Sequence, residues 1–215
     1  MRSEEEQAEI LREWWQKNGW TLLVAIILGV VALLGWRQWS ASQESRAENA
    51  SVVYERMHQA MQSAGAGENG EALAAAREQA DRLVDEYPRT VYGAQARLAL
   101  ARMAVMEEDY AEAADQLRAV VERSPTPALE YTARIRLARV LLQQGEAEQA
   151  LDQVQGSFPD AWLGQALELR GDALRALSRN EDARDAYGMA LDSLPSGEFS
   201  RDRVQMKLDD MMPAS

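Results

Sequence analysis

Hydrophobic and polar positions follow two regimes along the chain. From Trp20 to Trp36 the sequence WTLLVAIILGVVALLGW is an uncharged run with no polar face. From about Ser51 onward, apolar residues instead recur at spacings of three and four, the signature of helices that bury one stripe.

The apolar run predicts a membrane-spanning helix over 18–39. With its flanks the segment is about 22 residues, roughly 33 Å of helix at 1.5 Å per residue, enough to cross the hydrocarbon core. A helix is required there because lipid offers no partner to unpaired backbone groups. Trp14, Trp15 and Trp20 precede the run and Trp36 and Trp39 close it, as indole rings placed at two membrane interfaces would. A cleaved signal peptide fits less well, since the leading segment carries Glu4, Glu5, Glu6, Glu9 and Glu13 against Arg2, Arg12 and Lys17. Residues 1–17 read as a short tail with an amphipathic stripe of Ile10, Leu11, Trp14 and Trp15. Ala25 and Gly29 have the spacing of a helix-packing surface, with Ala32 near the same face; small residues are also simply common in spans. Orientation is undecided by charge: Arg2, Arg12 and Lys17 before the span balance Arg37, Arg46 and Arg56 after it.

A polar linker, 40–50, leads into a repeated pattern over 51–215. Ala101 and Ala113, Ala138 and Ala150, and Gly171 and Ala183 are each 12 residues apart, with a weaker copy at Ala64 and Ala76. The steps between units are 37, 37 and 33 residues, near the 34 of a tetratricopeptide repeat. Small residues at this spacing let two antiparallel helices approach where they cross. Pro88, Pro125 and Pro195 fall at one place in three units, just past the second helix, where a helix must stop. Pro159, after Gly156, also sits between helices, and Asp109, Gly145 and Asn180 fall in turns within units. A last helix over 201–212, with Val204, Met206, Leu208 and Met211, would cover the open apolar face of the terminal repeat. The fold class is therefore all-α: an N-terminal transmembrane helix, then a tetratricopeptide-repeat solenoid of about four helix pairs with a C-terminal capping helix.

Composition narrows the function. Scarce β-branched residues and abundant Ala, Leu, Glu, Gln and Arg suit helices. A net charge of −12 opposes nucleic-acid binding. The chain has no cysteine and one histidine, His58, so thiol chemistry and multi-histidine metal sites are out of reach. No Gly-rich phosphate loop, GxSxG or HExxH is present, and carboxylate pairs among 35 acids carry no signal. An enzyme is not expected, nor is any cofactor.

The repeat register places Gln95, Leu98, Arg102, Thr132, Ile135, Arg139, Gln165, Glu168, Asp172 and Arg175 on the first helices of successive pairs, where they would line a concave protein-binding groove, with His58 and Met61 in the first unit. The competing reading is that many of these are solvated helix faces.

Nearly the whole chain resembles the YfgM-like family, ancillary subunits of the SecYEG translocon. The likeness lies in the acidic tail and the span ending LLGWRQW (Leu33–Trp39), in YGAQARLALAR (Tyr92–Arg102), IRLARV (Ile135–Val140), RGDAL (Arg170–Leu174) and VQMKLDDM (Val204–Met211). The resemblance implies a bacterial inner-membrane protein with a cytoplasmic N-terminus and a periplasmic repeat domain. It implies SecYEG and a PpiD-like membrane-anchored periplasmic chaperone as partners, translocating polypeptides as further ligands, and a role in chaperoning newly translocated proteins. Tethering would raise the groove's effective concentration near the translocon exit. The alternative is an anchored repeat scaffold for another envelope machine, such as cytochrome maturation or division.

Overall fold

A computed structural model describes the backbone over 4–65, 70–195 and 199–211, and the side chains there apart from 4–11, 13, 16, 19, 21, 22, 39, 41–44, 65 and 199. The described residues form nine helices: α1 (Glu4–Gly65), α2 (Gly70–Glu86), α3 (Val91–Met106), α4 (Tyr110–Arg123), α5 (Pro127–Gln143), α6 (Ala147–Gln153), α7 (Asp160–Ala176), α8 (Asn180–Ser193) and α9 (Phe199–Asp209). They divide into two compact units, Met1–Glu48 and Asn49–Ser215.

The described part of the first unit is helix only. Its described large apolar side chains from Leu23 to Trp36 are all exposed, and they point to every side of the helix. Residues 23–38, the longest fully described stretch of the expected span, make roughly 24 Å of helix. Among the described residues no helix is long and apolar enough to cross a membrane. The expected span 18–39 also takes in Gly19, Thr21, Leu22 and Trp39, whose side chains lie outside the described ones, as do those of Ile10 and Leu11. Ala25, Gly29 and Ala32 are exposed on α1, and a Cβ on Gly29 would meet nothing. The expected linker 40–50 is helical.

The second unit is an array of helix pairs. Helices α3 and α7 each bury two faces in two different cores. Ala96, Leu100 and Met103 of α3 join a core with Ala50, Val53 and Met57 of α1 and Ala76, Ala80 and Leu83 of α2. Ala94, Leu98, Ala101 and Ala104 of the same helix join the next core, with α4, α5 and α6. Helix α7 repeats this, with Ala166, Leu169 and Ala173 on one side and Leu167 and Leu174 on the other. The second helices bury a single stripe, as with Ala113, Ala114, Leu117 and Val120 of α4.

Local sequence chemistry sets the boundaries. Thr90 caps α3 by accepting from Gly93 N at 3.0 Å, and Asp109 caps α4 by accepting from Glu112 N at 3.0 Å. Thr126 caps α5, which starts with Pro127. The turns within three pairs are alike. Glu108, Gly145 and Ser178 all adopt positive φ (61°, 80° and 61°). The next residue's N–H closes each turn: Asp109 to Ala104 O at 2.8 Å, Glu146 to Leu141 O at 2.8 Å and Arg179 to Leu174 O at 2.9 Å, the Schellman arrangement. Asn180, expected in a turn, is instead the first residue of α8. The third pair departs from the proline register because α6 ends early. Arg134 holds the end of α6 and the loop after it, donating to Gln153 O at 2.9 Å and Gln155 O at 2.8 Å, and lies 4.6 Å over the ring of Phe158. Of the expected capping residues, Val204 is fully buried whereas Met206 is 68% exposed; Met212 lies outside the described residues.

The small-residue pairs cross as expected, with Ala101, Ala113, Ala138, Ala150 and Ala183 all buried. Ala64 of the weaker copy is only partly buried. Gly171 stands where the other pairs have alanine, and the reason is its neighbour. Leu117, Val154 and Tyr187 occupy one register position, and only Tyr187 is aromatic. A Cβ on Gly171 would come within 2.4 Å of the Tyr187 ring. Gly171→Ala should therefore lower stability by about 1–3 kcal/mol through overpacking, followed by circular dichroism melts. In a Tyr187→Leu background the same substitution should cost little; an equal cost in both backgrounds would assign it to something other than this contact.

Candidate functional site

The first helices of successive pairs enclose an open cleft of about 920 Å³ in the second unit, at the upper end of ligand-site sizes. Leu98 of α3 and Val140 of α5 form a nearly buried floor, 8% and 6% exposed. Tyr54, Met57 and Met61 of α1 supply an apolar wall, steadied by Tyr54 packing on the Tyr92 ring at 5.3 Å. His58 Nδ1 lies 3.1 Å from the Gln62 amide at the rim.

The polar lining is one-sided in charge. Arg102 of α3 and Arg136 and Arg139 of α5 all line the cleft, and among the described residues no Asp or Glu does. Among the described residues none of the three arginines has a carboxylate partner; Arg139 donates to Gln165 Oε1 at 3.1 Å. Burial, followed by the repulsion of Arg139 and Arg102, pulls Arg136 below the usual guanidinium value.

The structure brings together four of the ten residues assigned to the groove, Gln95, Leu98, Arg102 and Arg139, with His58 and Met61. The others lie elsewhere. Thr132 receives the Trp162 indole N–H at 3.3 Å and donates to Ala128 O at 2.8 Å. Ile135 is core, 3% exposed. Gln165 sits beyond the cleft as the acceptor of Arg139, and Arg175 is exposed on α7. Arg136 was missed. Its spacing of three from Arg139 would have found it, since residues three apart share a helix face.

Glu168 and Asp172 are claimed by the cap. In register, Leu98 and Ile135 are followed by Glu168, and Arg102 and Arg139 by Asp172. The positions that are apolar or basic in inner repeats are acidic in the last, where α9 supplies the cations. Arg203 donates twice to Glu168, at 2.7 and 2.6 Å. Lys207 Nζ bridges Glu168 Oε1 and Asp172 Oδ2, each at 2.7 Å. The Tyr187 hydroxyl donates to Asp172 Oδ1 at 2.8 Å, and burial with this bond pushes the phenol upward. Glu168 is 3% exposed. Burial, the largest single effect on its carboxyl, acts to raise the pKa, but the bonds and charges of Arg203 and Lys207 together overcome it and hold Glu168 below the usual carboxylate range.

A lowered carboxyl pKa contributes stability above the ordinary carboxylate range, and that stability is lost as pH falls through the folded-state value. Glu168→Gln should loosen α9, lowering stability by about 2 kcal/mol at neutral pH and exposing 199–211 to limited proteolysis. The variant's melting temperature should also fall less than the parent's on acidification, and equal acid sensitivity would show that Glu168 does not set it.

Residues 12–212 match the family model described as Tetratricopeptide repeat-like domain. The chain is 30% identical over 209 residues to the ancillary SecYEG translocon subunit of Escherichia coli, covering 97% of each. It is 33% identical over 110 residues to the protein of that name in Haemophilus influenzae, covering 51% of this chain and 50% of the relative. The Neisseria gonorrhoeae protein of that name is 26% identical over 214 residues, covering 96% of this chain and 97% of the relative.

Proposed function

Because the chain belongs to the YfgM-like family of ancillary SecYEG translocon subunits, we propose that it is a membrane-anchored protein-binding scaffold of the translocon. On this reading residues 18–39 cross the bacterial inner membrane once, 1–17 stay in the cytoplasm, and the repeats of 51–215 stand in the periplasm. There they engage a PpiD-like membrane-anchored chaperone and chains leaving the channel, and assist their folding.

The observation that carries the scaffold reading is the open, apolar-walled cleft between the first helices of three pairs. Such a surface receives a segment of another protein through side-chain pockets and flanking polar groups. The reading of the anchor is supported by apolar side chains exposed all around α1 from Leu23 to Trp36. A helix hydrophobic on every side needs an apolar surrounding, and the tryptophans at its ends suit two interfaces. Ala25, Gly29 and Ala32 then offer a close-packing face to a neighbouring span.

Crosslinking in native membranes followed by gentle extraction and mass spectrometry should recover Sec channel subunits together with a periplasmic chaperone. Replacing 18–39 by an unrelated span, or deleting 49–215, should separate the two sets of contacts. Recovery of another envelope complex with no Sec subunit would end the translocon reading and leave the anchored scaffold standing. The chain has no cysteine, so orientation has a clean readout. Ser178→Cys, exposed on the repeat unit, should react with a membrane-impermeant maleimide in intact spheroplasts. Reaction only after lysis would put the repeats on the cytoplasmic side.

A further inference from the structure

The charge of the cleft is opposite to that of the protein around it. The chain carries 35 acidic and 23 basic residues, yet among the described residues the cleft is lined by three arginines and no carboxylate. Five guanidinium groups outside the cleft pair with carboxylates: Arg77 bonds Glu107 and Glu112, Arg82 bonds Glu86, Arg118 bonds Asp115, Arg179 bonds Asp182 and Arg203 bonds Glu168. Arg102 and Arg136 have no bonded partner among the described residues, and Arg139 has only a neutral amide. Holding three like charges together against an apolar floor is unfavourable in the unliganded protein. An incoming carboxylate relieves that repulsion and meets guanidinium groups already free to bond it.

We propose that the cleft binds an acidic, apolar segment of a partner protein, with carboxylate side chains held by Arg102, Arg136 and Arg139 and apolar side chains seated against Leu98, Val140 and Met57. The occupant is a polypeptide because Gln62, Gln95 and Gln143 also line the cleft. Their amides both donate and accept, which suits a peptide backbone. Charge complementarity selects the segment: the net negative charge of the chain disfavours such a partner in general, whereas the arginine-lined cleft attracts it. This inference rests on the cleft being a protein-binding surface, but not on which assembly the chain joins.

The test uses the full chain in nanodiscs of zwitterionic lipid. Fluorescence anisotropy is measured with short labelled peptides in which leucine alternates with glutamate, with glutamine or with lysine, and empty nanodiscs set the baseline. The glutamate peptide should bind at least about tenfold tighter than the glutamine peptide, the scale of a charge-assisted bond, and the lysine peptide weakest. The Arg102→Gln/Arg136→Gln variant should lose that advantage without a fall in melting temperature, because neither side chain is bonded among the described residues and the change relieves their mutual repulsion. Arg175→Gln removes a positive charge outside the cleft and should keep the advantage. Equal binding of glutamate and glutamine peptides, or a preference that survives Arg102→Gln/Arg136→Gln, would overturn the proposal. Failure of every peptide to bind, while short-chain phosphatidylglycerol binds and is lost in the double variant, would overturn it in favour of an anionic lipid. Recovery of Sec subunits by crosslinking is a separate measurement, so either reading can fail while the other stands.

Discussion

A first helix inside the array buries two faces, one against the preceding pair and one against its own partner and the next pair. Helix α3 does this with Ala96, Leu100 and Met103 on one side and Ala94, Leu98, Ala101 and Ala104 on the other. The rest of the repeat unit depends on that requirement. It makes the first helices rich in alanine, because only small side chains let two backbones approach at both contacts. It links three local cores along the unit, so stability passes from neighbour to neighbour as in a one-dimensional array. It also leaves little of the first helix's surface for solvent, and the remaining strip, taken from α1, α3 and α5, lines the cleft.

An array of this kind has to end, and its last first helix has no further pair to cover it. The solution in α7 is a change of chemistry at unchanged register. Glu168 and Asp172 replace an apolar and a basic position, and Arg203 and Lys207 of α9 cover them. A buried carboxylate with two cations is costly to break, because the loss of either partner strands a charge. It also gives the terminal helix one docking position, which Val204, fully buried among Leu167, Leu174 and Leu191, completes with apolar contact.

The same register logic explains the cleft's charge. In the inner repeats the position of Asp172 is held by Arg102 and Arg139. With no α9 over them, those side chains face an open apolar space and one another. The polarity of one repeat position thus distinguishes two arrangements, a closed one under α9 at the end of the array and an open, basic cleft in its middle.

Periodicity, small-residue spacing and proline placement were enough to read an all-helical repeat array, because helix pairing depends on contacts between residues near in sequence. The turns show how far such signals reach. Asp109 was legible as a cap, whereas the positive φ of Glu108 and Ser178 was not, since neither residue advertises it and the Schellman bonds impose it. The groove was legible in part. Register placed Gln95, Leu98, Arg102 and Arg139 on the face that lines the cleft, but it treated the repeats as equivalent. What covers a given position is a tertiary fact: Thr132 faces Trp162, Ile135 lies in a core and Glu168 lies beneath α9. The amino-acid sequence alone determined that paired helices form and where they cross, because helix propensity and close packing are local. Only the tertiary structure decided which of those repeated positions stay open, because that depends on whether another helix lies above them.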